Sequence, residues 1–202
     1  MPQSTGLRAR QKADVRQSLY REALQLFRTE GFEKTSVQRI CAQAGVAKGT
    51  FFNYFPSKDH VLQAWYRDLT LGALEEARSS TGTTAEQTVL TLFGALIRGV
   101  EADADLWDAK AHGTSSTVLR SAESSLDQDL YQFLIDAILL DQREGRLPSS
   151  SDAGFLTDMI ISVLTGTAHS WTVSEHSFDL TATLSARVTY LFSAAHLGAT
   201  TP

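Results

Sequence analysis

Lys48, Gly49 and Thr50, with Asn53 and Tyr54 just downstream, are the residues whose types and spacing promise chemistry. At the start of a helix they would present an ammonium, a hydroxyl and open backbone N–H groups, where the helix dipole favours an anion. Ala47 and Gly49 are small, and a bulky residue at 49 would hold the backbone away from anything approaching it. Gln38 and Asn53 carry amides that can pair bidentately with adenine, and Tyr54 and Lys58 can donate to phosphate oxygens. Catalytic chemistry finds no such footing. There is no strand-bound glycine loop, nucleophile elbow or His-Glu-x-x-His, and His60, His112, His169, His176 and His196 are scattered. His169 and His176 share a helix face only if one helix runs through both. Asp103, Asp105 and Asp108 read as a solvated helix start. The expectation is a non-enzyme with no catalytic residue, metal or cofactor.

The elements that must position these residues are all helical. Apolar residues repeat at helical spacing throughout, and no alternating run is bounded by hairpin turns. Residues 1–9 read as a loose polar arm. A first helix fits from about Arg10 to Thr29, carrying Val15, Leu19, Ala23, Leu26 and Phe27 on one stripe, and Gly31 stops it. Ser36 can cap a short second helix over Val37–Ala44, which Gly45 ends. A third, about Lys48–Tyr54, closes at Phe55-Pro56. Ser57 then caps a long helix reaching Arg78, broken by the Ser/Thr/Gly cluster 79–84. Further helices fit around Val89–Val100, Ala104–His112, Leu126–Arg143, Asp152 to about Val173, and Leu180 to about Leu197. The fold class is therefore all-α with about nine helices: an N-terminal three-helix unit over residues 1–56 and a larger helical domain over 57–202.

Charge supports that division. The chain of 202 residues has a net charge of −5. Residues 1–67 hold 11 Lys and Arg against 5 Asp and Glu, a net +6, and the remainder is −11. A basic head on an acidic body is the distribution of a protein whose one end meets a polyanion. Cys41 is the single cysteine, which excludes an intrachain disulfide, fits a reducing cytoplasmic setting and reads as a small buried residue. No signal-like apolar run follows the basic N-terminus and no stretch of 18 apolar residues occurs, so no membrane association is expected.

Two short helices joined by Gly45 and preceded by a longer one have the layout of a helix-turn-helix, whose second helix enters the major groove. Here the sequence becomes specific. Gly31-Phe32, Thr35-Ser36-Val37, Ile40-Cys41, Ala44-Gly45-Val46-Ala47-Lys48-Gly49-Thr50 and Asn53-Tyr54-Phe55-Pro56-Ser57-Lys58 resemble the N-terminal signature of the TetR family nearly position for position over about residues 10–60. The remainder resembles that family only in length and helical layout. The resemblance implies that Ser36 and Val37 start the second helix against the DNA backbone and that Gln38 reaches a base. It also implies that Ala47, Lys48, Gly49, Thr50, Phe52 and Asn53 face the groove, and that Tyr54 and Lys58 hold phosphates. Phe52 stands where relatives commonly have tyrosine, so a hydroxyl is missing and an apolar contact to a thymine methyl or sugar takes its place. Phe51 and Phe55 read as core anchors of the third helix.

One such unit makes few contacts, so a homodimer reading two half-sites of a palindromic operator is expected. Met159, Ile160, Val163, Leu164 and Gly166, with Leu184, Val188, Leu191 and Phe192, are candidates for its interface in a four-helix bundle. Their alternative role is to cover the core of the single chain. Phe93, Ile97, Trp107, His112, Tyr131, Phe133, Phe155, His169 and Trp171, with Ile135, form the inventory of a pocket for a lipophilic or aromatic effector. Any one of them taken alone is better explained as core. The resulting reading is a cytoplasmic, ligand-responsive DNA-binding regulator, in the first instance a repressor released by its effector, with the helix from Ser57 to Arg78 as lever. A helical protein-interaction module and a ligand-independent regulator are the alternatives.

Overall fold

The computed structural model describes residues 3–80, 83–112 and 117–197, with side-chain surroundings for 9–80, 83–111 and 128–197. Among these the chain is all helical: α1 (Gln3–Glu30), α2 (Val37–Gln43), α3 (Lys48–Phe52), α4 (Asp59–Ser79), α5 (Ala85–Ala102), α6 (Ala104–His112), α7 (Thr117–Arg143), α8 (Ala153–Val173) and α9 (Leu180–Leu197). Two helices start well before their expected positions, and α5 begins one turn early, at Ala85. α1 begins at Gln3, so the stretch read as a loose arm is helical there, and α7 begins at Thr117 rather than near Leu126. Neither added stretch contains a proline, and Leu, Arg, Ala, Gln and Glu propagate a helix unless something stops it. Gly6 alone does not.

The stop signals act where they were expected. Gly31 and Gly45 take φ of +86° and +68°, a region costly for a residue with a Cβ. Beyond Gly45 the Val46 N–H returns to the Cys41 carbonyl at 3.0 Å, closing the end of α2. Ser36 caps α2 by accepting from the Arg39 N–H at 3.1 Å, and Asp152 caps α8 by accepting from the Phe155 N–H at 2.9 Å. Ser57 behaves differently. Its hydroxyl bonds the Asp59 carboxylate at 2.9 Å and the His60 ring at 3.0 Å instead of a backbone N–H.

The helices form two compact units. The first holds α1, α2, α3, α4 as far as Tyr66, and α6. Its core is Leu19, Ala23, Phe27, Ile40, Phe51, Phe55, Val61 and Leu62, all at most 2% exposed. The second holds α4 from Arg67, α5, α8, α9 and the greater part of α7. There Val89, Leu92, Phe93, Leu134, Ile138, Ile160, Leu184 and Val188 are buried together with Phe192. The packing boundary thus falls at Tyr66, inside α4, while the change of element lies at Pro56-Ser57.

Polar ties between helices fix the second unit. The Asp141 carboxylate, 5% exposed, accepts from the Ala85 N–H at 2.7 Å at the start of α5 and from Arg146 at 2.6 and 2.9 Å. Arg187 on α9 donates to the Thr167 hydroxyl on α8 at 2.7 Å, and Thr189 donates to Glu86 on α5 at 2.7 Å. Gly99 lets α5 lie against α4. A Cβ there would collide with the Leu69 side chain.

Candidate nucleic-acid interface

α3 is only five residues long, too short to hold itself helical in water, so packing must fix it. Phe51 supplies this. It is fully buried, packing against Phe55 at 5.7 Å between ring centroids, and Phe55 in turn stacks on Tyr20 of α1 at 6.5 Å. Burying one such ring contributes about 1.5–3 kcal/mol. With Phe51 pinned inward, the helical register turns its neighbours outward. Ala47, Lys48, Gly49 and Asn53 are exposed, Thr50 and Tyr54 half-buried, and Phe52 is 48% exposed. On α2, Ser36 and Gln38 are exposed and Val37 is half-buried, while Ile40 and Cys41 face inward.

The candidate DNA-facing residues therefore share the outward side of α2 and α3, and nothing within 4 Å occupies the space where a Cβ on Gly49 would lie. The helix ends soon after Phe52. Asn53 and Tyr54 continue it as a tight turn, the Tyr54 N–H returning to the Phe51 carbonyl at 2.9 Å. Lys58 takes a different place from the other polar candidates. Its ammonium donates to the Phe32 carbonyl at 2.7 Å, lies 4.1 Å from the Phe32 ring centroid and is 3.9 Å from the Glu33 carboxylate. It holds the turn between α1 and α2. Thr35 fixes the same turn from within, donating to the Gly31 carbonyl at 2.8 Å.

Cys41 lies behind this surface, and burial pushes its thiol pKa up. The acidic group ahead of α6 is not simply solvated, as the sequence had implied. Arg28 on α1 makes a two-pronged ion pair with Asp103 at 2.6 and 2.8 Å, bonding α6 to the N-terminal helix across 75 residues. That guanidinium, helped by the Trp65 side chain, holds the Asp103 carboxyl below its ordinary pKa. Lys110 on α6 is also buried, its ammonium 4.1 Å from the Tyr66 ring centroid and 5.3 Å from that of Trp107. Sequence reasoning missed these residues because a pairing across 75 positions leaves no local signal.

The candidate pocket residues divide. Trp107 belongs to the first unit, against Tyr66, and the His112 side chain lies outside the described residues. In the second unit Phe93, Ile97 and Trp171 are buried, and Tyr131, Phe133 and Ile135 are half-buried, with Arg78 over the Phe133 ring at 5.5 Å. Phe155, at 66% exposed, and His169 face outward instead. The candidate dimer residues divide as well. Ile160, Leu184, Val188 and Phe192 are at most 2% exposed, so they cover the core of their own chain and offer a partner almost no area. Met159 and Gly166 are exposed, and Val163, Leu164 and Leu191 are intermediate. Phe155, Met159, Gly166, His169 and Val173 fall on one stripe of α8, and Tyr190 and Leu197, 74% and 71% exposed, stand out on α9.

Residues 19–65, the span that holds α2, α3 and the adjoining parts of α1 and α4, match the family model for bacterial regulatory proteins of the tetR family. Over this span the chain matches the TetR family. Among its curated relatives is the fatty acid metabolism regulator protein of Bacillus subtilis, 23% identical over 186 residues that span 86% of this chain and 92% of the relative. TcmR of Streptomyces glaucescens, an HTH-type transcriptional regulator, is 43% identical over 60 residues, 30% of this chain and 26% of its own. Among solved structures, FadR of Thermus thermophilus superposes with a TM-score of 0.74 at 25% identity, over 93% of this chain and 95% of that one. That protein is a TetR family transcriptional repressor, seen in complex with lauroyl-CoA. The helix-turn-helix of that match lies in α2 and α3. No helix among the described residues is long and apolar enough to cross a membrane.

Proposed function

We propose that this TetR regulator is a homodimeric repressor that acts in the cytoplasm, performs no catalysis, and leaves its operator on binding a fatty acyl thioester. The observation that carries the reading is the outward face of α3, small and polar around a fully buried Phe51 and open to solvent at Gly49. In the proposed complex Ala47, Lys48, Gly49, Thr50, Phe52 and Asn53 face the groove, with Gln38 and Asn53 reading bases. Ser36, Val37 and Tyr54 meet the backbone. Lys58 contributes by fixing the turn ahead of α2. Two copies are needed for half-site spacing, and the exposed stripe of α8 with Tyr190 and Leu197 of α9 supports pairing through those helices.

The effector class follows from the likeness to the lauroyl-CoA-bound repressor and the fatty acid metabolism regulator. It agrees with the apolar interior of the second unit around Phe93, Ile97, Phe133 and Trp171. An effector acts only through differential affinity, favouring a dimer whose heads no longer match the operator spacing. The test is an operator, selected from a random DNA pool, titrated with the protein by fluorescence polarisation with and without lauroyl-CoA. Release of DNA by micromolar lauroyl-CoA, and not by coenzyme A alone, is expected. A protein that lauroyl-CoA stabilises thermally while its DNA affinity stays the same is not regulated by that ligand.

A further inference from the structure

The stretch of α1 ahead of the family-matched region carries a charge pattern that the helix-turn-helix does not account for. At about 100° per residue, Lys12 and Arg16 lie on one face of α1, and Arg8 holds the next register position of that face. Asp14, the sole acid before Glu22, falls on the opposite side. The basic face continues the stripe of Leu19, Ala23 and Phe27 that packs the head. Where it leaves the core it meets the end of the recognition segment, because the Arg16 guanidinium covers the Phe55 ring at 5.1 Å, one residue beyond Tyr54. Lys12 is exposed and makes no side-chain hydrogen bond or ion pair among the described residues. Like charges at i, i+4 and i+8 repel one another along a helix, and a polyanion relieves that repulsion.

We propose that this overhang of α1 is a second DNA contact, in which Lys12 and Arg16 grip backbone phosphates outside the base pairs that α3 reads. The inference rests on the operator-binding reading above. From Gln3 to Arg16 the helix rises roughly 20 Å, the length of about six base pairs. Flanking DNA of that length therefore matters even where its sequence does not, since such contacts go to phosphates.

The experiment uses the full chain and the operator selected from a random pool, presented in duplexes extended by zero, two, four or six base pairs of arbitrary sequence at each end. Wild-type affinity should rise about tenfold over this series at low salt. Lys12→Gln with Arg16→Gln should abolish the rise and reduce the slope of log K against log salt by about 3 to 4, two charges being lost from each of two chains. The charge-keeping pair Lys12→Arg with Arg16→Lys should behave as wild type, which separates charge from any effect on folding. A double Gln variant that retains both the flank dependence and the salt slope overturns the inference while leaving operator binding intact. Failure of the wild type to bind any selected DNA overturns the operator-binding reading itself, and this inference with it.

Discussion

α3 and α8 each bury one side and expose the other, but what they expose is opposite in kind. α3 sets Ala47, Lys48, Gly49 and Asn53 outward around a sealed phenylalanine, with Phe52 as its one large exposed apolar group, whereas α8 leaves Phe155, Met159 and Val173 in water, two of these more than 60% exposed. A face built for a charged partner that must come and go keeps its exposed groups wettable. A face of large apolar groups is stable in water only when another surface covers it most of the time. The contrast supports the proposal of a transient partner for the head and a lasting one for α8–α9, and each half of it can be broken separately.

The largest effect is expected from charging the α8–α9 face. Phe155→Glu with Tyr190→Glu places unpaired carboxylates in the proposed seam and should give monomers, with operator affinity lower by a hundredfold or more, on the order of 3 kcal/mol. Light scattering and polarisation on the same sample read both quantities, and a variant that stays dimeric at full affinity removes this face from the assembly. Next comes the outward side of α3. Gly49→Leu and Lys48→Ala should each cost roughly ten- to a hundredfold in operator affinity at unchanged melting temperature, and Tyr54→Phe about fivefold. Lys48→Ala should also flatten the salt dependence, and equal slopes for variant and wild type would take Lys48 off the phosphates.

Smaller effects test the frame rather than the faces. Gly99→Ala forces a methyl against Leu69 and should destabilise the second unit by about 1–3 kcal/mol, visible as a lower melting temperature. Asp103→Asn should cost at most about 1 kcal/mol, because its ion pair with Arg28 is partly solvated. The carboxyl has a lowered pKa in the folded head, so its contribution is complete above the ordinary carboxylate pKa of about 4 and fades as pH falls further. The melting difference between variant and wild type should accordingly shrink as pH falls below about 4. A difference that stays constant there would assign the effect to packing instead of charge.

How much of this was legible in the residues depends on the range of the signal. The head was, because Gly31, Ser36 and Gly45 act within four residues of themselves and the α3 surface follows once Phe51 is fixed inward. Helix lengths were not always so. The opening turns of α1 and α7 carry few apolar residues, and a reading that follows the apolar stripe begins them late. The inner and outer sides of α8 were harder still. Ile160 is buried and Met159, its neighbour in sequence, is exposed, but a helix apolar on both sides gives no periodic contrast to tell one from the other. The Arg28–Asp103 pair lies beyond any local pattern.

Cys41 has a consequence for experiment. The sole thiol of the chain sits buried on α2, its proton held more tightly than in water, where a thiol reagent finds almost no thiolate to attack. Alkylation must wait for the head to breathe open, so the labelling rate of the unmodified protein is a native clock for local unfolding of the reading head. Bound DNA should slow that clock and an effector should leave it running, with no probe to engineer.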